Sequence, residues 1–341
     1  MYIENNVTKN QLSFWLSFMF WIISLMIVVG GLTRLTDSGL SITQWELFSG
    51  LLPPLDEQQW IDYFYQYKQI PEFKLQNYSM TLGEFKIIFW WEWIHRFLGR
   101  LIGILFLIPL IFFTFKVNFK KLINLYFIFL LICFQGFIGW YMVSSGLVDR
   151  VDVSHFRLSI HLIIAFIIIS SILWNYLSLK IDRNFTGKFN YYIIFIFLLL
   201  VFTQIIIGAF VSGMDAGQIY NSWPLMGSSF FPDDNNIDNF FKISAFSDPS
   251  LVQFMHRNLA YIILIFYLII LFKIYKNKLI NLYYPINLVG LFLFIQILLG
   301  IFTLLYGAQI YLASMHQISS IFLVSSSVYL LYLNSSQQPS S

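Results

Sequence analysis

Apolar residues in this chain gather into eight long runs divided by polar connections. The runs are Leu12–Thr33, Phe85–Phe115, Leu122–Val143, His155–Leu179, Tyr191–Val211, Val252–Phe272, Tyr283–Tyr306 and Ile310–Leu333. Each is long enough, at about 1.5 Å per helical residue, to cross a hydrocarbon layer of about 30 Å. The pattern predicts an all-α, polytopic membrane protein with eight transmembrane helices embedded in a lipid bilayer. Two connections are long, residues 34–84 and 212–251, and the others are short. Met1 to Asn10 is polar with little positive charge, so the first run reads as a retained helix rather than a cleaved signal.

Composition agrees and narrows the choice. Of 341 residues, 58% are hydrophobic and only 11% charged, too few charges for the surface of a soluble domain. A net charge of +3 gives no basis for nucleic-acid binding. The single cysteine, Cys133, lies inside an apolar run, cannot form an internal disulfide and reads as a small core residue. Basic residues set the orientation. Three short connections carry Lys116, Lys120 and Lys121, then Lys180, Arg183 and Lys188, then Lys273, Lys276 and Lys278, with Asp182 alone in opposition. The long connections hold most acids, including Asp37, Glu46, Asp56, Glu57, Asp215, Asp233, Asp234 and Asp238. The lysine-rich turns are therefore expected in the cytoplasm, with both termini, and the long connections outside.

The chain also repeats itself. Gly30-Gly31-Leu32-Thr33-Arg34-Leu35-Thr36-Asp37-Ser38-Gly39 parallels Gly208-Ala209-Phe210-Val211-Ser212-Gly213-Met214-Asp215-Ala216-Gly217 at an offset of 178, which also pairs Trp45 with Trp223 and Pro54 with Pro232. Gln135 and Gly139 parallel Gln296 and Gly300 at an offset of 161. Four spans per half, an even number, predict two pseudo-symmetric four-helix bundles related by an axis along the membrane normal. The expected divisions are a cytoplasmic N-terminus (1–11), a first half (12–180), a second half (181–333) and a disordered tail (334–341). Gly99, Gly103, Gly136, Gly139, Gly208 and Gly300 are expected to admit close approach of a helix or a flat cofactor.

Four histidines follow the same duplication. His95 and His256 differ by 161, and His161 and His316 by 155. All four fall on the even-numbered spans, about 24–30 Å from their cytoplasmic ends by helix rise. Ionisable groups are costly in a membrane, and a common depth is what paired metal ligands need. Within each half the pairs are His95 with His161 and His256 with His316. Two histidines from two helices can hold a haem iron from both faces, so two haem sites are expected. Arg96 and Arg257, each next to a histidine, suit haem propionates. Glu92 shares a helix face with Arg96 and Arg100 and lies one turn from His95, placed to handle a proton or to form an ion pair. Its counterpart is Gln253, which cannot exchange a proton near neutral pH. That asymmetry predicts a reacting first half and an electron-handling second half. His155 has no counterpart and is expected to be solvated or to cap its helix.

The segment Gly30–Trp45, the Glu92-x-x-His95-Arg96 motif and the duplicated histidine pattern resemble the haem A synthase family, over nearly the whole chain from about Gly30 to His316. The resemblance implies oxidation of the methyl group of haem o to a formyl group by successive hydroxylations, giving haem a for cytochrome oxidase assembly. It implies that His95 and His161 hold haem o, that His256 and His316 ligate haem b as cofactor, and that Glu92 matches a glutamate required beside the substrate. A haem o synthase and an electron-transfer partner are the implied associates, and the inner membrane of a bacterium the implied location, with the haems toward the periplasm. One branch of the family carries paired loop cysteines; this chain resembles the other branch. Two further readings fit the histidine pairs: a non-enzymatic di-haem b-type electron carrier, and a haem-binding transporter or chaperone. Neither needs a glutamate in one half only.

Overall fold

The computed structural model describes residues 5–45, 49–181 and 189–335. Glu46, the Asp182, Arg183 and Lys188 group and the predicted tail from residue 336 onward lie outside the described residues. Eleven α-helices follow one another along the described chain: α1 (Asn6–Leu35), α2 (Glu57–Tyr67), α3 (Pro71–Leu75), α4 (Leu82–Thr114), α5 (Phe119–Asp149), α6 (His155–Lys180), α7 (Tyr191–Gly213), α8 (Ile237–Phe240), α9 (Pro249–Lys276), α10 (Tyr283–Leu305) and α11 (Ile310–Asn334). Eight of them, α1, α4, α5, α6, α7, α9, α10 and α11, are long and apolar enough to cross a membrane, as the runs predict.

Local signals set the helix ends. Asn5 caps α1 by accepting from Val7 and Thr8 backbone N–H groups. Thr81 and Glu84 form a reciprocal capping box that starts α4, which carries His95. Pro109 inside α4 has no N–H to offer the Leu105 carbonyl. The indole N–H of Trp15 on α1 donates to that carbonyl at 3.0 Å, so the defect becomes a helix–helix contact.

The spans contact one another in closed rings. In the first half α1 touches α4, α4 touches α5, α5 touches α6, and α6 returns to α1. In the second half α7, α9, α10 and α11 make the same circuit. The halves meet where α6 packs on α7 and on α11, and α11 on α1. Most of α11 is buried although it is the least apolar span. Its serines explain this. Ser319, Ser320, Ser326 and Ser327 are small enough to admit neighbours, and each hydroxyl returns a hydrogen bond to its own helix backbone. The peripheral spans α5 and α10 bury least, and Cys133 lies on an exposed face of α5 rather than in the core.

A second apolar cluster caps the first half. Leu40 and Ile42 pack with Trp60, Phe64 and Tyr67 of α2 and with Phe85, Ile88 and Phe89 at the start of α4. The first long connection is thus a folded cover. Glu72 of α3 is buried within it, accepting from the Tyr67 hydroxyl at 2.9 Å and the Asn77 amide at 3.3 Å. Burial pushes the Glu72 carboxyl up to about 8.

Candidate functional site

Each predicted histidine pair is brought face to face. The His95 and His161 ring centroids are 6.4 Å apart, and those of His256 and His316 are also 6.4 Å apart. An imidazole nitrogen bonds a metal at about 2 Å and stands about 1 Å from its ring centre, so rings on opposite sides of one ion have centres about 6 Å apart. The observed separation fits one metal per pair. Among the described residues no group of three or more His, Cys, Asp or Glu side chains converges. Donors in twos suit a metal whose remaining ligands come from a macrocycle, and not zinc, which takes three or four protein ligands. The Nδ1 atoms of His95, His161 and His316 are buried with no hydrogen-bond partner. Two rings also meet side-chain amides: Gln204 Nε2 lies 3.1 Å from His256 Nδ1, and Gln296 Nε2 lies 3.4 Å from His316 Nε2.

Glycines make room for the rings. A Cβ added to Gly30 of α1 would stand 2.8 Å from Cε1 of His95, and one added to Gly139 of α5 would stand 3.0 Å from Cε1 of His161. In the second half Gly208 of α7 bears the same relation to His256, and Gly300 of α10 to His316, each at 3.0 Å. The repeat offsets pair Gly30 with Gly208 and Gly139 with Gly300, so the duplicated glycines are the ones against which the duplicated histidines lie. Gly103 and Gly136 have no protein atom within 4 Å of such a Cβ, and Gly99 makes only ordinary contact with Met26. Side-chain amides brace the helix backbone at the same points. Gln135 donates to the His161 carbonyl and Gln204 to the His256 carbonyl, both at 2.9 Å.

One helical turn before His95, Glu92 is buried and its carboxylate accepts four hydrogen bonds: Arg96 Nε at 3.0 Å and an Arg96 terminal nitrogen at 2.6 Å on Oε1, Ser41 Oγ and Ile42 N both at 2.7 Å on Oε2. Arg96 also donates to the Ile42 carbonyl at 2.8 Å and the Gln44 carbonyl at 3.2 Å. Segment 41–44, which follows α1, is therefore fastened to α4 beside the His95 pair. Arg257 repeats this, donating to the Tyr220 carbonyl at 2.8 Å and the Ser222 carbonyl at 2.9 Å. The 178-residue offset carries Ile42 to Tyr220 and Gln44 to Ser222, so both arginines grip matching positions.

The two halves differ at the acid. Glu92 accepts from the Ile42 N–H, whereas Gln253 donates to the Tyr220 carbonyl at 3.1 Å and leaves its Oε1 buried without a partner. Among the described residues Arg257 has no carboxylate partner, and its Nε is buried and unpaired.

His155 departs from expectation. It is the first residue of α6 but is buried, packed against Gly213 of α7 and the rings of Phe156 and Phe210, and its Nε2 has no partner. The close approach of α6 to α7 at Gly213 shuts it away from solvent. Two cross-half contacts had no sequence signal of their own. Arg34 donates to Asp37, to Asp215 at 3.0 Å and to the Ser212 carbonyl at 2.9 Å. Gln317 reaches the Ile27 carbonyl of α1 at 2.9 Å.

Comparison with known proteins adds an independent line. The family described as COX15-CtaA, cytochrome oxidase assembly protein, matches residues 13–328. A protein of Pelagibacter ubique named heme A synthase is 49% identical over 340 residues, covering 98% of this chain and 100% of the relative. Proteins of the same name from Rickettsia bellii and Rickettsia africae are each 42% identical, covering 95% of this chain and 96% and 98% of their own lengths.

Proposed function

Because the chain belongs to the COX15-CtaA family of cytochrome oxidase assembly proteins, we propose that it acts as a haem A synthase, an oxidoreductase that converts haem o to haem a. The observation that carries the site assignment is the pair of histidine couples at 6.4 Å, each backed by its own two glycines. His95 and His161 hold the substrate haem o, whose methyl group is oxidised to a formyl group by successive hydroxylations. His256 and His316 ligate haem b, which supplies one-electron redox chemistry when bound.

Glu92 is the proton-handling carboxylate of the first half. Its two oxygens accept from Arg96, Ser41 and Ile42, which ties the carboxylate to the segment that follows α1. Segment 41–44 thereby covers the site. Arg96 serves haem o by holding that cover. Arg257 holds the matching cover over the second pair and keeps a buried Nε–H, a donor suited to a haem propionate.

The lysine-rich turns support an orientation with both termini in the cytoplasm and the haem sites toward the periplasmic side of a bacterial inner membrane. Haem o is apolar and reaches the site from the bilayer or by transfer from the haem o synthase. An electron-transfer partner completes the reaction, and cytochrome oxidase assembly receives the product. The test is extraction of pigments from membranes producing this chain with a source of haem o. Haem a in the extract supports the reading. Haem b alone, with haem o unconverted, favours the di-haem carrier and overturns it.

A further inference from the structure

Two neighbouring residues of α1 face both halves of the protein. Gly30 lies against the His95 ring. Gly31, about 100° further round the helix, lies against the Gln317 carboxamide of α11, onto which an added Cβ would fall. Gln317 is the residue after His316. Its Nε2 donates at 2.9 Å to the Ile27 carbonyl, the acceptor that helix geometry assigns to the Gly31 N–H. The carboxamide is thus held by a hydrogen bond and by a notch with no spare room. An unbroken series of direct neighbours results: His95, Gly30, Gly31, Gln317, His316.

The duplication does not repeat this contact. The offsets put Ala209 in the place of Gly31 and Leu162 in the place of Gln317. The residue after His316 makes a polar link to the first half, and the residue after His161, an apolar leucine, has no side-chain donor with which to return it. Packing inherited from the repeat would appear twice.

We propose that Gln317 is a positioning residue that couples the two histidine pairs, so that haem o held by His95 and His161 is felt at His316 through Gly30 and Gly31. The proposal rests on the ligand assignments above. Close-packed helices transmit displacement because they have no slack. A shift of α1 driven through the His95 ring moves the notch, and the carboxamide seated in it turns α11 at His316. The coupling is reciprocal, so the oxidation state at the second pair alters haem o affinity at the first.

The experiment is an optical redox titration of the purified full-length protein carrying haem b, with and without added haem o. Coupling of about five-fold between haem o affinities of the two oxidation states appears as a shift of about 40 mV in the haem b midpoint for a one-electron couple. Gln317→Leu, similar in volume, and Gly31→Ala, which displaces the carboxamide, are expected to keep haem b and its spectrum and to lose the shift. Two separate variants guard against one failing to accumulate. A purely structural role would lower thermal stability and leave the shift in place. A shift that survives in Gln317→Leu overturns the proposal, as does its absence from the parent protein. A parent protein that binds no haem b defeats the ligand assignment instead, and the absorption spectrum separates that failure from the others.

Discussion

Replacing Glu92 by Gln inserts the second half's residue into the first. The carboxamide has one acceptor oxygen where the carboxylate has two. With that oxygen toward Arg96, the NH2 group faces Ser41 and the Ile42 N–H; Ser41 can turn its hydroxyl to accept, but Ile42 cannot. With the amide reversed, the NH2 group faces the guanidinium. Either way a buried donor is left unpaired, at a cost of about 1–3 kcal/mol, and charge-assisted bonds worth about 1.5–3 kcal/mol each are weakened. We expect about 2–3 kcal/mol of local destabilisation, felt as loosening of segment 41–44 rather than global unfolding. Arg257 and Gln253 show that a cover of this kind persists without an acid. Loss of a proton-handling group lowers a rate by about 10²–10⁴-fold. The assay is the ratio of haem a to haem o extracted from membranes, normalised to haem b. Conversion by Glu92→Gln within about tenfold of the parent, haem b being equal, refutes the reasoning.

Three further expectations follow from the same geometry. His256→Ala or His316→Ala should abolish the haem b absorption spectrum, whereas His95→Ala and His161→Ala should retain it and stop conversion; a haem b spectrum that survives loss of His316 contradicts the pairing. Gly208→Val should push the His256 ring from its place and lower haem b content several-fold, and Gly30→Val should leave haem b bound while suppressing conversion, both read by quantitative pigment extraction. Glu72 has a folded-state value of about 8 against 4.5 ordinarily, so the folded cap holds its proton more tightly. Its stabilising contribution is complete below about pH 4.5 and is lost as pH rises through 8. Hydrogen-exchange protection of residues 57–77, measured relative to the intrinsic exchange rate at each pH, should fall across that window, and Glu72→Gln should flatten the fall.

Much of this architecture is written in the sequence, and the parts that are not share a physical cause. Eight apolar runs give eight spans because a lipid environment forces backbone groups to pair within each segment. Their ends are less legible. α1 starts at Asn6 rather than Leu12, and α5 continues to Asp149 rather than Val143, because helices extend past the apolar layer until a cap or turn stops them. The histidine pairs are legible because an ionisable residue stands out in an apolar run and because the duplication predicts its partner. Even the ring-bearing glycines are flagged, since Gly30 and Gly208, like Gly139 and Gly300, recur at the repeat offsets. The arginine grips are not legible because the acceptors at Ile42, Gln44, Tyr220 and Ser222 are backbone carbonyls, which any residue supplies. The burial of His155 is not legible because nothing in its own segment reveals that Gly213 lets a neighbouring helix come so near.

Arg34 shows something about ancestry. Through its bond to Ser212 it touches the residue that the 178-residue offset assigns to its own place. In an assembly of two separate identical halves both positions would carry the same residue, and arginine at both would bring two guanidiniums together at that spot. Joining the copies in one polypeptide frees one position to become serine, and a single cation then serves Asp37 and Asp215 together. Fusion of a duplicated gene permits this arrangement, and splitting the chain back into matched pieces would forbid it.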